Sequence, residues 1–145
     1  MKSYDLVLEF LKKYSRTVAF RTKEHCKILD KYVNPDEKIN YVFVGQKNLR
    51  SIACPNTFVV ALTNKRLLFA RKRLVFGYFF YAITPDMFND LKVSSGILWG
   101  KIEIDTVKER AIFSNLDKLC LDEIETKITQ YMLEEKRKYN NEKDI

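Results

Sequence analysis

The side chains that could do covalent or metal chemistry are few and scattered. Three cysteines, Cys26, Cys54 and Cys120, stand far apart and in an odd number. That pattern fits neither a disulfide framework nor a zinc spacing, and it reads as buried or idle thiols. His25 is the only histidine, which closes most zinc-hydrolase and His-based triad chemistry; on its own spacing it is a partly covered helix residue. No Gly-rich phosphate loop, nucleophile elbow or spaced carboxylate pair is present. Asp122, Glu123 and Glu125 stand where a helix should begin and read as solvated complements to its dipole. The expectation is a protein that is not an enzyme, with no catalytic residue, no metal site and no cofactor.

What the sequence does concentrate is positive charge. The net charge is +7, from 26 Lys and Arg against 19 Asp and Glu. Between Lys38 and Pro85 there is no acidic residue, whereas Lys38, Lys47, Arg50, Lys65, Arg66, Arg71, Lys72 and Arg73 all fall there. The rest of the chain holds 18 basic residues against 19 acidic ones, so the whole excess lies in one third of the sequence. Such asymmetry favours an anionic partner, and a merely solvated basic face has the same composition.

These residues need a scaffold, and 145 residues with 46% hydrophobic content make one ordinary domain with a real core. The longest nearly unbroken apolar run, Leu74 to Ile83, contains Gly77 and is about half the length of a membrane span. Asp5 and Glu9 among the first ten residues are wrong for a signal peptide. The expected location is cytoplasmic, or peripheral at the inner face of the membrane.

Residues 57–73, TFVVALTNKRLLFARKR, predict a β-hairpin. A two-residue turn at Asn64-Lys65 pairs Leu62 with Leu67, Ala61 with Leu68, Val60 with Phe69 and Val59 with Ala70. Phe58, Val60, Leu62, Leu67 and Phe69 then share one face, and a one-residue slip would scatter them. Asn at the turn suits the left-handed conformation of a tight primed turn.

Around the hairpin, helices are predicted over 4–14 and from Thr22 to the Asn34-Pro35-Asp36 stop. Further strands are predicted over 39–45, 78–84, 90–95, 97–106 and 110–114, giving seven in all. In the sixth, Leu98, Gly100, Ile102 and Ile104 share one face, with Trp99 on the other. A last helix spans about 117–136, with Leu121, Ile124, Ile128, Tyr131 and Met132 on its apolar side. Seven antiparallel strands and one terminal helix make a mainly β, α+β domain: a small barrel or sandwich with a plug. The division is an N-terminal helical extension over 1–33, the domain proper over 34–136, and a frayed charged tail over 137–145.

ALTNKRLLF at 61–69, SSGILWGKIEIDT at 94–106, AIF at 111–113 and NPDEKINYVFVGQ at 34–46 resemble the bacterial pleckstrin-homology-like (PH-like) domains, specifically the YokE-like group. The resemblance covers roughly 34–135. It implies two near-orthogonal antiparallel sheets closed as a PH-like barrel and capped by the C-terminal helix.

Strand direction sorts the cations. Arg71, Lys72 and Arg73 should finish near the end where Lys47 and Arg50 begin, and the turn carrying Lys108 and Arg110 should return there. In the PH architecture this end is the open one, and in lipid-binding relatives it holds phosphate. Leu49, Ile52, Leu74, Val75 and Phe76 on the same loops are the candidate apolar contacts. The expected function is a binding or adaptor module that docks a protein partner or self-assembles, with Trp99 a candidate contact unless the N-terminal helices cover it. The first alternative is peripheral binding of anionic lipid headgroups through the basic end. Against that, TFVVALT lacks the paired basic residues that phosphoinositide-binding relatives carry. The second alternative is nucleic acid, with Phe69, Phe76, Tyr78 and Phe80 interleaved among the cations.

Overall fold

The computed structural model describes residues 2–48 and 55–143, with side chains as far as residue 138. Two helices come first, α1 (Lys2–Lys13) and α2 (Thr22–Tyr32). Seven strands follow: β1 (Ile39–Lys47), β2 (Thr57–Thr63), β3 (Leu67–Lys72), β4 (Tyr78–Ile83), β5 (Phe88–Ser95), β6 (Gly100–Thr106) and β7 (Arg110–Leu116). Helix α3 (Leu121–Lys143) comes last. The strands form one antiparallel sheet in the order β4-β3-β2-β1-β7-β6-β5. Only two residue pairs, Gln46–Ser114 and Lys47–Phe113, join β1 to β7. The sheet is therefore two meanders, β1–β4 and β5–β7, joined at the far end of β1, and these are the two halves of the PH-like sandwich.

The hairpin has the expected register, Leu62–Leu67 through Val59–Ala70. Its turn works differently. Neither Asn64 nor Lys65 adopts positive φ, so this is no primed turn. Instead the Thr63 hydroxyl accepts the Lys65 and Arg66 N–H groups (both 3.1 Å), while Thr63 N–H donates to the Arg66 carbonyl (3.0 Å). Thr106 repeats the device between β6 and β7. Its hydroxyl accepts from Lys108 and Glu109 N–H (3.2 and 3.0 Å), and its own N–H donates to the Glu109 carbonyl (2.9 Å). A threonine hydroxyl thus substitutes for the glycine a tighter turn would need.

Every residue of β2 is buried, so the first meander is covered on both faces. One cross-strand row, Phe43, Val60, Phe69 and Tyr81, looks toward the second meander. There the Phe113 ring stacks on Phe69 (5.7 Å between centroids) and meets Phe43 edge-on (5.6 Å). The other face carries Val44, Val59, Ala70 and Phe80 in one row and Val42, Ala61, Leu68 and Ala82 in the next. Its small side chains let helices approach: α2 lies on β2 and β3, α1 on β1, and Tyr32 stacks on Phe80 (4.8 Å). The N-terminal helices therefore pack on their own sheet. Burying Val42, Val44, Val59 and Leu68 under them stabilises by roughly 2 kcal/mol each.

The later elements depart more from expectation. Strand β6 begins at Gly100, and Ile97 and Leu98 stay exposed in the preceding turn. Leu98 consequently does not join the buried row of Gly100, Ile102 and Ile104. Helix α3 starts only after a 3-10 turn, Lys118–Cys120, whose cap is Asp117 accepting Leu119 N–H (3.0 Å). It then continues to Lys143, through the stretch expected to fray. Leu121, Ile124, Ile128 and Met132 are buried, as the spacing predicts. A Cβ on Gly100 would lie 2.7–2.8 Å from the Leu121 side chain, so β6 must start on glycine for α3 to seat.

At the other end, Glu37 clamps the β2–β3 hairpin to the α2–β1 linker. Its buried carboxylate accepts Arg66 Nε (2.9 Å) and Nη2 (3.0 Å), the Thr63 hydroxyl (2.6 Å) and Asn34 N–H (3.1 Å). Burial pushes the carboxyl up, but these donors together outweigh it and hold it at about 2.

Two predictions follow from the packing and the clamp. Gly100→Ala should destabilise by about 1–3 kcal/mol through overpacking, visible as a lower urea midpoint with an unchanged slope. Because Glu37 is depressed from 4.5 to about 2, its contribution is complete above pH 4.5 and fades as pH falls toward 2. The loss should total about 3 kcal/mol; a Glu37→Gln variant that kept the same acid dependence would refute the assignment.

Candidate functional site at the basic end of the sheet

The strand ends expected to converge do so. Lys47 N–H donates to the Asn56 carbonyl (3.0 Å) and Asn48 N–H to the Ile112 carbonyl (2.7 Å), while Arg71 Nη1 reaches the Thr57 carbonyl (3.0 Å). The end of β1, the starts of β2 and β7, and the end of β3 thus share one rim. Arg50, Leu49 and Ile52 lie outside the described residues.

The cations on this rim are not equivalent. Lys47 is buried, with its ammonium 3.2 Å from Glu109 Oε1 and 5.5 Å from the ring centres of Phe58 and Tyr81. Tyr81 donates its hydroxyl to the same carboxylate (2.7 Å). Burial and this hydrogen bond push the Tyr81 phenol well above its ordinary pKa. Arg71 points its guanidinium at the Thr57 and Pro55 carbonyls, and Arg110 pairs with Glu103 (3.2 Å). Among the described residues, Lys72, Arg73 and Lys108 take part in no ion pair. Arg73 lies over the Phe79 ring (5.5 Å). Beyond it the β3–β4 turn carries Leu74, Val75 and Phe76, 76%, 71% and 81% exposed. That turn is closed by Arg73 N–H on the Gly77 carbonyl (3.0 Å), with Gly77 at φ 76°.

Residues 16–21 cross this end of the first meander. Val18 N–H donates to the Asn115 carbonyl (2.9 Å), and Gln46 Nε2 bridges the Val18 carbonyl (2.9 Å) and the Thr57 hydroxyl (2.7 Å). Phe20 N–H also reaches Thr57 (3.2 Å), and Arg21, held at φ 55°, donates from Nη1 to the Lys72 carbonyl (3.1 Å). His25 finishes the seam. It is fully buried, where its spacing predicts partial cover, and its Nδ1 accepts Lys72 N–H (2.9 Å). Burial first, then Arg71 and Arg21, lower the imidazole to about 4. Arg21, Gln46 and Thr57 carry no signal in their residue types, because what they bind is largely backbone contributed by distant segments.

The remaining sequence candidates are structurally committed. Trp99 donates its indole N–H to the Arg16 carbonyl (3.0 Å), so the N-terminal segment holds it. Glu123 is not simply solvated: it accepts Lys13 Nζ and the Tyr41 hydroxyl (both 2.8 Å), closing a cleft of about 280 Å³ between α1, β1 and α3. Cys26 and Cys120 are buried, which pushes both thiols up to about 12; Cys54 lies outside the described residues. Phe69 is core, Phe80 packs on Tyr32, and the Tyr78 hydroxyl hydrogen-bonds that of Tyr32. Among the described residues no group of three His, Cys, Asp or Glu could hold a metal, and no helix is long and apolar enough to cross a membrane.

A second acid window follows from the seam. The unfolded state takes a proton on histidine near pH 6.5, the folded state only near 4. The neutral-imidazole contribution is therefore complete above pH 6.5 and is lost as pH falls toward 4, by up to about 3 kcal/mol. Equilibrium urea unfolding at pH 7 and pH 5 should show the drop, and a His25→Gln variant should flatten it.

No curated protein matches the sequence. The family described as "Bacterial PH domain" matches residues 33–130, which takes in all seven strands and the first half of α3. Two antiparallel meanders closed by a C-terminal helix, together with that match, place the chain in the bacterial PH domain family.

Proposed function

We propose that this chain is a non-enzymatic docking module that holds a protein partner, its own second copy included, with the β3–β4 tip as the contact. Family membership supports a binding or adaptor role, since PH-like domains are typically non-enzymatic binding modules. One observation carries the finer reading: Leu74, Val75 and Phe76 stand exposed together on a closed turn. Consecutive large apolar side chains held out in water are the usual mark of a protein or membrane contact.

Magnitudes favour protein over lipid. With Lys47 and Arg110 paired and Arg71 turned to carbonyls, Lys72, Arg73 and Lys108 remain at this rim among the described residues. Three cations near an anionic leaflet contribute about 1 kcal/mol each, or a dissociation constant on the order of 10 mM. The second reading, peripheral attachment to an anionic membrane, is favoured by Arg73 and Lys72 flanking the apolar tip, and it needs that tip to insert. Nucleic acid has the least support, because Phe69 and Phe80 are committed to packing.

Two variants separate these readings: Val75→Ser/Phe76→Ser, and Arg73→Glu/Lys108→Glu. All four positions are exposed, so both proteins should unfold within about 0.5 kcal/mol of the natural chain. The first should abolish capture of the protein partner, with weak binding to phosphatidylglycerol vesicles throughout. Identical captures from the natural chain and the tip variant would end the docking assignment. Vesicle binding that needs Arg73 and Lys108 would favour the membrane reading instead, and oligonucleotide binding that falls steeply between 50 and 200 mM salt would favour nucleic acid.

A further inference from the structure

Strand β5 is one of the two edges of the sheet. Helix α3 covers only its start, where Lys136 Nζ binds the Phe88 carbonyl (2.7 Å). From Asn89 to Ser95 every residue is exposed except Leu91, which is half-buried. An edge this long, without proline, is a template for another strand.

Among the described residues its two charged side chains, Asp90 and Lys92, make no ion pair. Asp90 stands directly opposite Asp105 across β5 and β6, and like charges in that relation destabilise a sheet. Arg110 is the cross-strand neighbour of Asp105 on the other side, but its guanidinium pairs with Glu103. Among the described residues no ion pair includes Asp90, Asp105 or Lys92. The face is short of one cation beside Asp90; Lys92 stands opposite Glu103, but that carboxylate pairs with Arg110, and Lys92 makes no ion pair among the described residues.

We infer that the free edge of β5 pairs antiparallel with β5 of a second copy, about a two-fold axis through Leu91. That register sets Asp90 against Lys92 of the second copy and Lys92 against its Asp90. Both orphan charges are matched twice over, and a cation arrives beside the Asp90–Asp105 pair. Moving the axis one residue either way is worse: centred on Asp90 it opposes two aspartates, centred on Lys92 two lysines. Centring it between residues leaves the charges facing neutral side chains. The symmetry is isologous, so it closes at two copies. Asp90 Oδ1 now accepts its neighbour Leu91 N–H (2.8 Å); on pairing, it turns to the incoming lysine. The opposite edge, β4, has no charged residue in Tyr78–Ile83 and offers no such code. A single strand pair is a small interface, so dimerisation is concentration-dependent and weakens with salt.

Sedimentation velocity over a concentration series tests this on the full chain, on Asp90→Lys, on Lys92→Asp and on an equal mixture of the two variants. The natural chain should dimerise. Each single variant, now opposing like charges in both pairs, should do so about tenfold more weakly. The mixture should recover dimer, because one variant's two lysines meet the other's two aspartates. Asp90→Lys places a cation against Asp105, so its thermal unfolding should be no lower than that of the natural chain. A natural chain that stays monomeric, single variants that dimerise as well as it does, or a mixture that does not recover would each overturn the inference. If Val75→Ser/Phe76→Ser abolishes the dimer and the β5 variants do not, the inference falls while docking through the tip stands.

Discussion

The structure depends on a meander that is apolar on both faces. Strand β2 has no solvent side, so β1 to β4 cannot stand as a free sheet with one wet surface. Each face needs a cover, and the chain supplies two unlike ones. Aromatic rings from β1, β3, β4 and β7 interlock on one side. On the other, alanines and valines admit helices at close range. Side-chain size is therefore sorted by what must approach: bulk where two sheets leave a gap of about 10 Å, small residues where helix backbones come down onto the strands.

The same logic governs charge. In the sequence, the span from Lys38 to Pro85 is purely basic. In space, three of those eight cations are met by acids from outside the span. Arg66 lies on Glu37, Lys65 on Asp36, and Lys47 on Glu109. The first two pairs fix the hairpin turn to the end of the α2–β1 linker; the third closes the sheet interior at the opposite rim. A composition that looks like an advertisement for an anion is in part internal wiring, and Lys72 and Arg73, which make no ion pair among the described residues, lead into an apolar tip.

How much of this could be read beforehand depended on the range of the interaction. Paired apolar residues set the hairpin register, because only one alignment gathers Phe58, Val60, Leu62, Leu67 and Phe69. The convergence of Lys47, Arg71 and the β6–β7 turn followed from strand direction alone. Periodicity also placed His25 on the apolar side of its helix, but not what that side meets; its partner is a backbone N–H 47 residues away. The neutralisation of Lys47 was hidden for the same reason, since Glu109 is 62 residues off. Leu98 misled because alternation continued past the true strand start, where Gly100 and Leu121 set the limit. The turn at Asn64 misled because the threonine before it, not the asparagine, satisfies the backbone.

The seam from Arg16 to His25 bears on where this unit can be divided. The family match begins at residue 33, which would suggest a self-sufficient module preceded by a dispensable leader. Cutting there would strip the helical cover from Val42, Val44, Val59 and Leu68, and would leave Lys72 N–H without the His25 imidazole and Gln46 without the Val18 carbonyl. The excised piece would carry a greasy slab several strands wide. In this chain the smallest unit able to stand alone is larger than the span the family match covers.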